Sequence, residues 1–271
     1  MVLNKNTPKS YLEHKLGKCV LNDRFVRIPI SYEKRETSKT KNMSWFSNFL
    51  TSSIGRKVVM SLTGLFLIVF LLIHLVGNLQ LLYDDSGEKF NLYAKFMTTN
   101  PLIKTVSYLL YASILIHAIQ GWLLWSKNRK ARGQQGYAVK TTRSTGTNSF
   151  AASNMGWLGT IIFVFIAIHL YQFWLQMKLG NLPMANYDGE QVKDLYAIVS
   201  AAYENLGFVI FYVLSMVVIA FHLLHGFQSA FQTLGINHQK YTPFIKGLGK
   251  VYSILIPLGF AIIPVYMYLF H

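Results

Sequence analysis

Five stretches of this chain, 58–80, 105–126, 155–177, 206–230 and 251–270, contain no Asp, Glu, Lys or Arg. About 20 such residues in an α-helix cross roughly 30 Å of hydrocarbon. Lipid offers no water to backbone N–H and C=O groups, so a crossing segment must be helical or part of a closed barrel. Continuous apolar runs exclude barrel strands, which alternate. The expected fold is an all-α membrane protein with five transmembrane helices. Four of the stretches hold a histidine near mid-depth: His74, His117, His169 and His222. An ionisable side chain at that depth is costly enough to imply a functional partner.

A chain that is 52% apolar suits a soluble domain or a membrane bundle equally, and the clustering of its apolar residues decides for the bundle. Lys and Arg number 12 in 1–57, 6 in 127–154 and 3 in 236–250, against 2 in 82–103 and 1 in 180–204. Such an excess marks the cytoplasmic side. The N-terminus is therefore expected inside and the C-terminus outside. The formal charge of +15 is then largely a topology signal. No nucleic-acid partner is expected, because the cations flank membrane spans and form no folded basic face with interleaved aromatics. Anionic lipid headgroups and an acidic surface on a cytoplasmic partner suit them better.

Residues 1–43 differ from the rest, being mixed in charge and without apolar periodicity. They lack the apolar core of a signal peptide. They read as a cytoplasmic tail, or as the product of a start assigned too far upstream, with the membrane domain running from 44 to 271. The one cysteine, Cys19, lies there. A single thiol builds no disulfide, Cys-ligated iron–sulfur cluster or covalent haem attachment.

Depth groups the histidines. At 1.5 Å per residue, His74 and His169 lie roughly 24 and 21 Å above the inner ends of their helices, and His117 and His222 roughly 14 and 12 Å. Two layers result, separated by roughly 10 Å on the same rise. The outer layer draws on the first and third helices and the inner on the second and fourth, as a four-helix bundle needs to clamp one porphyrin iron per layer. A lone intramembrane histidine often bonds across helices or relays protons. Four, paired by depth among apolar side chains, point to two bis-histidine haems, whose filled axial positions suit electron transfer.

Gly77, Gly121 and Gly226 stand about one turn from His74, His117 and His222. Their missing side chains suit a flat macrocycle, or simply close helix packing. His225, one turn below His222, is expected near a haem propionate or the inner surface. Arg56, Lys57, Lys127, Arg129 and Lys130 are candidate propionate partners, since guanidinium and ammonium groups suit carboxylates. They set topology as well. His14, His238 and His271 are expected to be solvated. Pro257 and Pro264 predict a bend in the fifth helix, which carries no histidine and is assigned to packing.

Two segments carry a resemblance: Ser52-Ser53-Ile54-Gly55-Arg56-Lys57 through Ile73-His74-Leu75-Val76-Gly77-Asn78, and Phe221-His222-Leu223-Leu224-His225-Gly226-Phe227 through Gly235-Ile236. Over about 44–271 the chain resembles the single-chain di-haem cytochrome b subunit of bacterial succinate dehydrogenase and fumarate reductase, of the b558 type found in Bacteroidetes-like bacteria. The resemblance implies haem b ligands His74 with His169 for the distal haem and His117 with His222 for the proximal haem. At Phe-His-x-x-x-Gly it places the ligand on His222 and leaves His225 a non-ligand.

It further implies a location in the bacterial cytoplasmic membrane, and a flavoprotein and an iron–sulfur protein held at the cytoplasmic face. FAD and the iron–sulfur clusters would sit on those partners, with electrons exchanged with a quinone, menaquinone being expected. Dimerisation of the complex and the direction of the reaction stay open. Quinone redox chemistry moves protons as well as electrons, so polar groups near the distal haem are candidates: Asn78, Gln80, Asp84, Asp85, Glu88 and Tyr93. A carboxylate there suits proton transfer, and a solvated loop charge is the plainer reading. The alternatives are the cytochrome b subunit of another respiratory complex, of formate dehydrogenase or hydrogenase type, and a haemless transporter using histidines as relays. The latter would need linking polar side chains that the spans do not offer.

Overall fold

The computed structural model describes residues 44–133 and 149–270. The expectations for residues 1–43, including His14 and Cys19, and for His271 lie outside the described residues. After a short helix α1 (Trp45–Thr51), the chain enters α2 (Ser53–Asn78), extended by a 3₁₀ turn at Leu79–Leu82. Next come α3 (Glu88–Thr99) and α4 (Pro101–Arg132). Helix α5 (Ser149–His169) runs through a π-helical segment, Leu170–Leu175, into α6 (Gln176–Leu179). Strands β1 (Met184–Tyr187) and β2 (Glu190–Lys193), helix α7 (Leu195–Tyr203) and the long helices α8 (Leu206–Thr233) and α9 (Thr242–Phe270) complete it.

Among the described residues five helical spans are long and apolar enough to cross a membrane, Ser53–Leu82, Pro101–Ala131, Phe150–Leu179, Leu206–Thr233 and Thr242–Phe270. The protein is a multi-pass membrane protein. Each span outruns its uncharged stretch, because capping groups lie beyond the apolar run. The Ser52 hydroxyl accepts from Gly55 N at 2.9 Å, and Asn100 Oδ1 accepts from Leu102 N at 3.0 Å, next to Pro101 in the first helical turn. Both satisfy amides that a helix start leaves without a partner.

The first four spans form a ring in which each packs on its neighbours, first on second, second on third, third on fourth and fourth on first. The first and third, and the second and fourth, therefore face each other diagonally. The fifth packs against the fourth and first. Its helix continues through Pro257 and Pro264, both buried, so neither proline ends it. Tyr252 Oη donates to the Ile68 carbonyl, a cross-helix bond between the fifth and first spans.

In lipid, apolar area drives no association between helices, so close contact and interhelical bonds must hold them. Glycines admit that contact. A Cβ on Gly156 would meet the Trp125 indole at 2.4 Å, and one on Gly259 would meet Leu75 at 2.9 Å. The second span, by contrast, has none of its most apolar window buried. Its Leu109, Leu115, Ile119 and Trp122 are exposed, a surface that water would penalise and hydrocarbon solvates.

One end of the bundle carries a cap of α3, the β1–β2 hairpin and α7. The hairpin turns on Asp188-Gly189, both with positive φ (49° and 88°), as the tightest connection between antiparallel strands requires. Asn91, 1% exposed, holds the cap together. Its Nδ2 donates to Tyr187 Oη and Asp194 Oδ1, each at 2.9 Å, and its Oδ1 accepts from Tyr196 N at 3.0 Å. Asp194 Oδ1 also caps α7 through Ala197 N at 3.0 Å. Replacing Asn91 by Leu strands several of these groups, each costing about 1–3 kcal/mol when buried without a partner. Hydrogen exchange in Asn91→Leu is expected to show the amides of 184–199 losing protection while the spans keep theirs.

Candidate functional site

The four mid-depth histidines meet in two pairs across the diagonals of the ring. The His74 and His169 rings lie 5.9 Å apart between centroids, nearly perpendicular at 86°. The His117 and His222 rings lie 6.3 Å apart at 65°. Two ring nitrogens bound to one metal atom at about 2 Å each would put ring centres roughly 6 Å apart. Among the described residues no three His, Cys, Asp or Glu side chains converge on a point. Each pair thus offers two neutral nitrogen donors, which suits a metal that brings its remaining ligands with it, as haem iron does.

Two glycines face the His117–His222 pair. A Cβ on Gly64 in the first span would lie 3.3 Å from His117 Cε1, and one on Gly159 in the third span 3.9 Å from His222 Cε1. His74 follows Gly64, and His169 follows Gly159, by ten residues. Ten residues rise about 15 Å between Cα atoms in a helix, an upper figure for the spacing of the rings because helical side chains lean toward the N-terminus.

The two pairs have different surroundings. The His74–His169 pair sits in an aromatic box, with Phe70 (5.1 Å) and Phe260 (5.5 Å) against His74, and Phe165 (5.8 Å) and Phe173 (5.3 Å) against His169. Phe260 belongs to the fifth helix, so that helix reaches the site as well as packing the bundle. Asn78 Nδ2 donates to the His74 carbonyl at 2.7 Å and lies 3.2 Å from ring Nδ1. Thr63 Oγ1 lies 3.2 Å from His117 Nδ1, and Tyr212 Oη 3.5 Å from His169 Nδ1. His222 Nδ1 is buried with no partner from the protein. An orphaned buried nitrogen beside a facing imidazole, with glycines opposite, fits a prosthetic group completing the site.

The expected glycines divide. Gly226 has nothing within 4 Å of a Cβ position and Gly121 meets only Met60 Cε at 3.1 Å, whereas the space at Gly77 is taken by the Tyr93 ring, 2.5 Å away. Among the expected propionate partners, Arg56 keeps a buried Nη1 without a partner while its Nε donates to the Thr51 carbonyl at 3.2 Å. Lys57 lines a cavity of about 360 Å³ with Ile54, Ser229, Gln232 and Thr233. Lys127, Arg129 and Lys130 are exposed, and Arg129 lies over the Trp125 ring. His225 is partly buried below His222, and His238 is exposed.

Of the expected quinone residues, Asn78 touches His74 and Tyr93 packs on Gly77, while Gln80 lies in the 3₁₀ turn. Asp84 is exposed. Asp85 accepts from Gly87 N at 3.1 Å and Lys89 N at 3.3 Å, and Glu88 opens α3. Asp85 therefore shapes the loop. Farther from the pairs, Glu190 binds Lys95 Nζ at 2.6 Å. Thr63, Gly64, Gly159, Gln172 and Tyr212 had no place in the sequence reading. The ten-residue spacing from glycine to histidine, repeated in the first and third spans, was the available signal.

No family model, no curated protein and no solved structure matches this chain, so its own residues and geometry carry the functional reading.

Burial raises the Tyr93 phenol above its ordinary value. Burial also raises Tyr196, with the carboxylates of Asp85, Asp84 and Asp194 and the Tyr187 phenol adding to it. An acid harder to ionise when folded stabilises the fold below its unfolded value near 10 and loses that contribution as pH rises through the folded value. The melting temperature in detergent is expected to fall above about pH 10, and less steeply in Tyr93→Phe. An equal fall in both proteins would remove Tyr93 as a cause.

Proposed function

We propose that this chain is the di-haem cytochrome b anchor of a succinate:quinone oxidoreductase in a bacterial cytoplasmic membrane. The observation that carries the reading is the meeting of four intramembrane histidines as two pairs across the diagonals of the bundle. His74 and His169 would hold the outer haem b, and His117 and His222 the inner one. When bound, such groups supply one-electron transfer without an open coordination site.

The chain's own residues do the rest. The aromatic box excludes water from the outer pair, and the unpartnered Arg56 Nη1 supplies a cation for an inner propionate. The Tyr93 hydroxyl, beside Gly77 and the turn that follows His74, would be a donor for a quinone carbonyl, while Asn78 would give up a contact with His74 to serve as one. The basic end suits an iron–sulfur and flavoprotein pair with the N-terminus inside, and the dicarboxylate chemistry with its FAD would belong to those partners. Menaquinone is the expected quinone.

The purified chain should bind two haems and give a reduced-minus-oxidised spectrum of low-spin b type. His74→Ala and His169→Ala should each lose the same haem, and His117→Ala and His222→Ala the other, leaving about half the absorbance if each iron needs both imidazoles. A colourless chain, or one that keeps both haems after any of these changes, would overturn the reading.

A further inference from the structure

One histidine of each pair has a hydroxyl oxygen at ring Nδ1, and in both cases that hydroxyl has another acceptor within reach. Thr63 Oγ1, 3.2 Å from His117 Nδ1, donates back to the Val59 carbonyl at 2.8 Å or the Met60 carbonyl at 3.1 Å. Tyr212 Oη, 3.5 Å from His169 Nδ1, donates to Gln172 Oε1 at 2.6 Å. A hydroxyl has one proton to give. With the proton turned to that acceptor, the oxygen accepts at the ring, and an Nδ1–H satisfies it.

A neutral imidazole carries one N–H, so a proton held on Nδ1 leaves Nε2 with a bare lone pair. We propose that Thr63 and Tyr212 are positioning residues that lock His117 and His169 in the Nδ1–H tautomer, leaving Nε2 of each ring as the nitrogen available to a metal. The proposal rests on the paired-histidine reading for what Nε2 then binds, while the tautomers belong to the chain alone.

The surroundings favour a single tautomer. Tyr212 is 4% exposed, and its ring packs with Phe165, Phe173 and Tyr203, so water cannot exchange its partners easily. Gln172 lies in the π-helical segment that begins directly after His169. Such insertions concentrate at functional sites because they re-aim side chains without breaking the helix. The other two histidines lack this arrangement. His74 Nδ1 faces an amide nitrogen and His222 Nδ1 faces no protein group. The Asn78 amide nitrogen can only donate, so it favours a bare Nδ1 on His74, the opposite form to its partner ring, and of the four rings only His222 is left open by its neighbours.

The test is ¹⁵N NMR of histidine-labelled protein in bilayers, haem-free, together with haem titration of the same samples. His117 and His169 are expected as Nδ1–H in the wild type. Thr63→Val should release His117 and weaken the inner haem about tenfold, with Thr63→Ser restoring both. Tyr212→Phe should do the same at His169 and the outer haem. Gln172→Leu, which keeps the phenol but removes its acceptor, should turn the Tyr212 proton toward His169 and favour Nε2–H. Nε2–H at both rings in the wild type, or tautomers and affinities unmoved by the variants, would overturn the proposal. Failure of the wild type to take up haem while showing Nδ1–H rings would overturn the functional reading and leave this one standing.

Discussion

Everything in this molecule is arranged around imidazoles that cannot be left facing hydrocarbon. A polar ring in lipid must be turned inward and given a partner. The first four spans answer that demand with a closed ring whose diagonals are each short enough for two histidines to meet. One diagonal joins odd-numbered spans and the other even-numbered ones, so both pairs share a bundle without sharing a helix.

The helices cannot rely on the hydrophobic effect to stay together, because the tails outside are as apolar as the core. Fit takes its place. Glycine against indole at Gly156, glycine against leucine at Gly259 and the bond from Tyr252 to the Ile68 carbonyl fasten neighbouring spans. Each such bond contributes only about 0.6 kcal/mol in a membrane. The number of close contacts therefore matters more than any one of them. The fifth span illustrates the economy, since it braces the first and fourth and also places Phe260 against His74. The cap works on another principle, a buried amide at Asn91 that unites hairpin, α3 and α7 by saturating its hydrogen-bonding capacity.

How much was legible in the residues varies with the kind of information involved. Span number and the grouping of histidines by depth follow from one-dimensional pattern, since both depend on position along a helix of fixed rise. Gly77 illustrates a limit. One turn from His74 it has the right spacing for a cofactor shelf, yet the Tyr93 ring occupies that space from an element across a loop. The hydroxyl contacts of Thr63 and Tyr212 were equally hidden, as each joins residues on different spans.

The sequence by itself therefore determined the solvent of this protein, the number of its spans and which histidines share a level, because hydropathy and helical rise act along the chain. The tertiary structure alone decided which helices stand diagonally opposed, which glycines face an imidazole and which side chains meet each ring Nδ1. Those are distances between segments far apart in sequence. They are fixed by side-chain shape and hydrogen-bond direction, neither of which a periodic pattern encodes.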